Sequence, residues 1–416
     1  MNTATTTPSL ETPTAPNAAA MPAETGTKPT HNLAVSYLRA FVTLLVLAHH
    51  AVLAYHPFAP PVPEDLVAVP RWWQAFPVVD AQRWELSALF VGFNDTFFMA
   101  LMFFLSGLFV WRSLERKGSR AFLRDRGLRL GIPFLVVAAL IAPLAYYPTH
   151  LLSGGAPGLA GFWAVWSTLG DWPAGPAWFV WVLLAFGALA AGLSTLAPGW
   201  GSALGERLGR LQRPPALFAA LFAVSGLAYL PLALIFTPLH WTSVGPFAFQ
   251  TSRALFYLCY FLVGVGLGAY GLERGVLAAG GTLSRAWRAW SVLALLAFVV
   301  SVVVAVLWSR AEGAAVRWGT ASGLAFVAAC AAISLGWLAL FLRFARVRVG
   351  LFDSLSRNAY GMYLIHYPFA SWIPYVLLDA QLSAPIKASI AVLGTILLSW
   401  AATSALRRLG PVARII

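Results

Sequence analysis

The sequence predicts an all-α membrane protein, a polytopic bundle of about ten transmembrane helices with both termini cytoplasmic. Three observations carry that expectation. Hydrophobic residues make up 59% of the 416-residue chain and charged residues only 10%, against roughly 25% charged in soluble domains. The apolar residues fall into runs of about 20, the length a helix needs to cross a bilayer. Basic residues collect in alternate connecting segments, as they do in multi-pass proteins.

The ten runs are centred near residues 44, 100, 138, 184, 226, 260, 298, 331, 367 and 396. Ahead of them, residues 1–30 are rich in Thr, Pro and Ala and lack an apolar run, a composition that predicts a disordered cytoplasmic tail. A secretory signal would need a basic start and an apolar core. Residues 31–410 then read as one transmembrane domain.

The first span, YLRAFVTLLVLAHHAVLAY, contains Arg39 and His50. Eleven residues are about three helical turns, so the two side chains share a face roughly 16 Å apart along the axis. Ionisable groups are costly in hydrocarbon and usually face protein or an aqueous cavity, which makes this stripe the leading candidate site. His49 is rotated by about 100° and points elsewhere. The Pro- and Trp-rich connection that follows, HPFAPPVPEDLVAVPRWWQAFPVVDAQRWE, reads equally well as a cap on a cavity or as an interfacial loop.

The second span carries Asp95 in GFNDTFFMALMFF and ends in FFLSG. Because it runs antiparallel to the first, Asp95 is expected near the depth of His50, where a carboxylate would orient an imidazole. The competing reading is that Asn94 and Asp95 cap the helix N-terminus. Before the third span, FLRDRGLRLGIPF places Arg126 and Arg129 three residues apart, neighbours on a helix surface that can converge on one anion with help from a helix start. They read alternatively as ordinary anchors on the inside face. The apolar stretch from Gly161 to Trp172 is expected to be re-entrant or interfacial. PAWFV, with Trp178, opens the fourth span, and Arg253 lies in the outer part of the sixth. Cys259 and Cys330 fall inside spans and are expected to pack as small hydrophobes, neither disulfide-bonded nor metal-binding. His366, in the ninth span, reaches a depth like that of His50.

The net charge of +13 is explained by placement. With the N-terminus inside, the inside segments hold 21 of the 28 basic residues and the outside segments hold five. The positive-inside rule accounts for this distribution, so no nucleic-acid partner is expected; the lipid bilayer is.

Taken in order, Arg39 and His50, FFLSG (103–107), Arg126 and Arg129 followed by Pro133, PAWFV (176–180) and NAYGMYLIHYPF (358–369) make the chain resemble the acyltransferase 3 family of bacterial membrane acyltransferases. The resemblance runs over roughly residues 33–406. It implies transfer of a small acyl group, acetyl or succinyl, from cytoplasmic acyl-CoA to a hydroxyl of an extracytoplasmic carbohydrate or glycan. It further implies a multi-pass protein of the cell inner membrane with no resident cofactor or metal. In that reading Arg39, Arg126 and Arg129 hold the CoA phosphates, His50 is the general base and Asp95 orients it. His366, Trp178 and Arg253 are then substrate-facing or supporting residues; Arg253 reads as a cation for the free carboxylate of a succinyl group or as a side chain that snorkels to the interface, and His366 reads alternatively as a satisfied interhelical histidine. Two other classes share the scaffold, a transporter or flippase of a glycan or lipid-linked precursor and a non-catalytic assembly subunit.

Overall fold

A computed structural model describes residues 1–3, 32–310 and 315–416. The disordered tail expected over residues 1–30 lies, apart from its first three, outside the described residues. Residues Asn32–Ile416 form one unit, and it is almost wholly helical, as the composition requires.

Ten long helices build it: α1 (Leu33–Val52), α2 (Glu85–Gly107), α3 (Val110–Leu152), α4 (Trp178–Leu196), α5 (Pro214–Phe236), α6 (Ala254–Tyr270), α7 (Trp287–Arg310), α8 (Ala315–Phe344), α9 (Gly350–Val376) and α10 (Ala384–Leu406). Each corresponds to one of the ten apolar runs. Nine of the described helices, or helices with their short flanking turns, are long and apolar enough to cross a membrane; α9 is the exception. Its 27 residues include Asp353, Arg357, Asn358 and His366, yet it is packed between α1, α3 and α10. A helix enclosed by protein can carry polar groups that lipid would exclude.

At the centre, α1 contacts α2, α8, α9 and α10. Close helix packing needs small residues, and Gly107 at the end of the FFLSG element lies against the α6 backbone at Phe261 and Gly264, which lets the two helices meet without intervening side chains. By contrast, α7 buries only 6% of its most apolar window and packs mainly on α8, with single ring contacts to α2 (Phe93–Phe298) and α5 (Phe218–Trp290). Its surface is suited to lipid.

The third span departs from expectation. It runs from Val110 to Leu152, 43 residues, as a short first helix and a longer second one joined at a kink at Gly118, whose φ of 73° lies in the left-handed region that glycine tolerates. Two π-helical turns interrupt it, Gly127–Gly131 and Val137–Ile141. Such turns release carbonyls from the regular ladder. Arg129 O accepts from Tyr360 Oη, and Ala138 O accepts from Trp172 Nε1 at 2.6 Å.

The stretch after Gly158 forms an eight-residue helix, Leu159–Trp166, too short to span, in keeping with a re-entrant or interfacial segment. A two-stranded antiparallel hairpin, β1 (Trp241–Val244) and β2 (Phe247–Gln250), precedes α6. Both cysteines are free, Cys330 buried and Cys259 half-buried.

Candidate active site

His50 lies on α1 five residues before the end of the span Leu33–Tyr55, nearer the loop end than the midpoint. Facing it from α9 is His366, fully buried, with His366 Nε2 3.2 Å from His50 Nδ1. The ring centroids are 5.0 Å apart, and the Tyr367 ring stands edge-on to His50 at 5.5 Å.

Hydrogen-bond chemistry assigns the protons. His50 Nδ1 is 2.8 Å from Val46 O, and His366 Nδ1 is 2.6 Å from Tyr363 O. A carbonyl oxygen only accepts, so both Nδ1 atoms carry hydrogen. His366 Nε2 then presents a lone pair to the His50 Nδ1–H, and His50 Nε2 is left unprotonated. Among the described residues no hydrogen bond engages that nitrogen. Geometry therefore holds His50 in the tautomer that can accept a proton at Nε2.

His49, one residue earlier, points away from α9; it packs on Phe98 at 5.0 Å, and its Nδ1 is buried without a partner. Of the two histidines, His50 is the one that meets His366 on α9.

Asp95 is not brought to His50. Both of its carboxylate oxygens accept from Arg253, Oδ1 from Nη1 at 2.9 Å and Oδ2 from Nη2 at 2.7 Å. Nor does it cap a helix, because it lies ten residues inside α2. The rotation of α2 instead turns Asp95 toward the Thr251–Arg253 turn that leads into α6. Arg253 is 4% exposed, so it neither snorkels nor stands free; its guanidinium also lies 4.7 Å from the Phe326 ring centroid. Trp178 packs among Tyr257, Trp241 and Phe103. It belongs to that side of the bundle rather than to the histidine pair.

The three arginines lie toward the other end. Arg39 is half-buried, and its guanidinium has no hydrogen bond or ion pair among the described residues. Arg126 is half-buried over the Phe122 ring at 5.1 Å, and Arg129 is exposed. The helix-start contribution expected for this pair is absent, because the helix begins after Gly118 and Arg126 sits about two turns within it.

Beside His366 is a small, partly open cavity, with lining that includes Val137, Ile141, Ala174, Ala177, Leu364 and Tyr367. The PAWFV element forms one wall. Gly175, at φ +54°, turns the chain here; a Cβ at this position would come within 2.8 Å of the Tyr367 ring. Tyr363 Oη donates to Pro176 O, fixing the wall to α9.

The Pro- and Trp-rich connection covers the loop end of this assembly. Gln74 O accepts from both Tyr146 Oη at 2.8 Å and Tyr367 Oη at 3.1 Å. Asp80 Oδ2 accepts from Lys387 Nζ at 2.9 Å, with both side chains almost fully buried. Of the two readings left open for this segment, the cap is the one its contacts favour. Sequence reasoning did not find Gln74, Tyr363, Tyr367 or the Asp80–Lys387 pair. Tyr363 and Tyr367 lie within the NAYGMYLIHYPF element, but nothing local shows their roles or marks the others, since the partners lie 72 to 307 positions away.

A tautomer-defined imidazole pair, His366 buried and His50 half-buried, inside a multi-pass helical bundle, with an arginine that has no partner among the described residues at one end and a cap at the other, marks a membrane protein with a polar candidate site. The comparison with protein families gives the class a narrower identity: the profile of the acyltransferase 3 family, described as an acyltransferase domain, matches residues 32–404. The chain belongs to that family and is a membrane acyltransferase. Comparisons with curated proteins and with solved structures find no match.

Proposed function

We propose that this protein moves an acetyl or succinyl group from acyl-CoA to a hydroxyl of an extracytoplasmic carbohydrate, with His50 as general base. The observation that carries the reading is the proton assignment at His50, which leaves Nε2 basic and backs it with two acceptors at Nδ1. In the reaction the acceptor hydroxyl gives its proton to His50 Nε2 as its oxygen bonds to the thioester carbon. The carbon–sulfur bond then breaks, and the proton passes from Nε2 to the departing sulfur, giving an ester and free CoA thiol. Base catalysis of this kind contributes typically ~10² to 10⁴ in rate.

His366 is a positioning residue here. As His50 gains the proton, its Nδ1–H bonds to Val46 O and His366 Nε2 become charge-assisted and strengthen. Arg39, Arg126 and Arg129 supply cations for the phosphates of the donor, which cannot cross hydrocarbon. The positive-inside distribution of the chain supports a cytoplasmic position for that end and for both termini, and the reading assigns the protein to a bacterial inner membrane.

The test is mass spectrometry of surface glycans from a deletion strain complemented with wild type or His50→Ala, paired with thiol release from acyl-CoA by membrane vesicles. Acyl adducts and thiol release restored only by wild type support the proposal. Full activity of His50→Ala removes the base from the mechanism. Movement of a glycan precursor by proteoliposomes lacking acyl-CoA would replace it with transport.

A further inference from the structure

We infer that a water-filled groove enters the bundle from the loop end along α2, stops at Asp95 and holds there the hydroxyl groups of a neutral carbohydrate acceptor, with Asp95, Asn94 and His49 as its binding residues. The inference rests on the acyl-transfer reading above and supplies its acceptor side.

The first observation is an accessible charge at mid-span. Asp95 lies ten residues inside α2, about 15 Å along the axis, near the middle of the span Glu85–Gly107. Its side chain is nevertheless 39% exposed, while that of Arg253 behind it is 4% exposed. A charged group at such depth is costly against hydrocarbon and faces the bundle interior or a water-filled cavity. Toward the loop end, the same face of α2 carries Gly92 and then Leu89, each three residues from the last. Leu89 is 52% exposed, Gly92 is exposed, and a Cβ at Gly92 would meet nothing within 4 Å. The stripe is open from the loop to the carboxylate, and the buried guanidinium closes it there.

The second observation is a set of polar atoms beside that inner end. Asn94 is fully buried, and neither its Oδ1 nor its Nδ2 has a partner among the described residues; the same holds for His49 Nδ1. Buried polar atoms are nearly always hydrogen-bonded, to protein, to water or to a ligand. Asn94 and Asp95 each lie about one turn from Phe98 on α2, and the Phe98 ring packs on His49 at 5.0 Å. The three polar side chains thus gather around one point of the α1–α2 contact.

Their chemistry names the ligand. Arg253 donates to both carboxylate oxygens of Asp95 and balances the charge, which leaves further lone pairs on those oxygens. Asn94 offers a donor and an acceptor. A neutral surface that offers both suits hydroxyl groups, which also do both. An anionic sugar would meet the carboxylate with its cation already engaged. The His49 and His50 ring centroids are 5.3 Å apart, so the groove ends beside the proposed base and makes a binding subsite separate from the reacting atoms.

Cysteine at Gly92 and, as a lipid-facing reference, at Val299 of α7, which is 49% exposed, would be challenged in right-side-out vesicles with a charged, membrane-impermeant maleimide. Wild type is the blank for Cys259 and Cys330. Thiols react as thiolates, which hydrocarbon suppresses, so Gly92→Cys should label at least about tenfold faster than Val299→Cys. Equally slow labelling of the two overturns the groove. The ligand probe is unacylated surface glycan from a deletion strain, separated into neutral and anionic fractions. The neutral fraction should slow the labelling of Gly92→Cys and accept acetyl groups from acetyl-CoA through the wild-type protein. Protection by the anionic fraction alone overturns the ligand class, and acetyl transfer without protection by either fraction overturns the acceptor assignment. Asn94→Leu, similar in shape, should raise the KM for the neutral glycan by about 2- to 10-fold, the worth of one hydrogen bond. The KM for acetyl-CoA should stay unchanged and the thermal midpoint should not fall, because the amide has no protein partner to lose. A lower midpoint with an unmoved acceptor KM marks a structural role for Asn94 and overturns its place in the site. Acetylation of neither fraction removes the acyl-CoA reading and the acceptor assignment with it.

Discussion

Replacing His366 with Phe tests the proposed mechanism at its most specific point. The change keeps an aromatic ring in a fully buried position but removes the acceptor that lies 3.2 Å from His50 Nδ1. The His50 tautomer survives, because Val46 O at 2.8 Å still holds the Nδ1 hydrogen. What is lost is one hydrogen bond to a group that becomes cationic in the transition state, worth about 1.5–3 kcal/mol. At 1.36 kcal/mol per tenfold, kcat should fall by about 10- to 150-fold, with the donor KM unchanged, since no phosphate contact is touched. His366→Gln, whose amide oxygen can accept the same hydrogen, should recover part of the loss. In a His50→Ala background, His366→Phe should cost nothing further, because residues acting as a unit are non-additive. Acetyl-CoA turnover in detergent-purified protein reads all four variants. An additive double mutant, or a His366→Phe effect confined to KM, would refute the reasoning.

Other outcomes follow from the ion pairs, the packing and the arginines. Asp95→Ala strands Arg253, which is 4% exposed, whereas Arg253→Met leaves a carboxylate that is 39% exposed; the first should therefore destabilise more, by about 3 kcal/mol against about 1, read by thermal unfolding in detergent. Asp80→Asn and Lys387→Met each break a pair buried to 2% and 1% exposure, and each should cost about 3–5 kcal/mol singly and less than their sum together. Gly107→Ala drives a methyl into the α6 backbone at Phe261; an overpacking cost of about 1–3 kcal/mol should lower the thermal midpoint and the yield of folded protein. Paired Arg126→Gln and Arg129→Gln should raise the KM for acyl-CoA while kcat changes little, as loss of uniform binding does.

The positions of the ten helices were legible in the chain itself because each is a local property: a run of apolar residues long enough to cross is visible without knowing its neighbours. The same holds for the facing of His50 rather than His49 along the Arg39 stripe, since helical periodicity fixes relative rotation within one helix. The short segment after Gly158 was legible as non-spanning for the same reason. Even α9, the least apolar of the ten, announced itself through the family-like NAYGMYLIHYPF element, although composition alone understates it.

Rotation between helices is a different matter. That Asp95 meets Arg253 and that His366 meets His50 depends on how α2, α6, α1 and α9 turn about their own axes when packed, and no spacing within a single helix encodes that angle. The carbonyls of Arg129 and Ala138, freed at the π turns, likewise find their donors on Tyr360 and Trp172, residues far along the chain. Composition and periodicity thus determined the membrane class, the helices and the candidate imidazole. Only the packed bundle decided which partner each buried charge and ring nitrogen would have, because a desolvated polar group takes whichever complementary atom the neighbouring helices bring within reach.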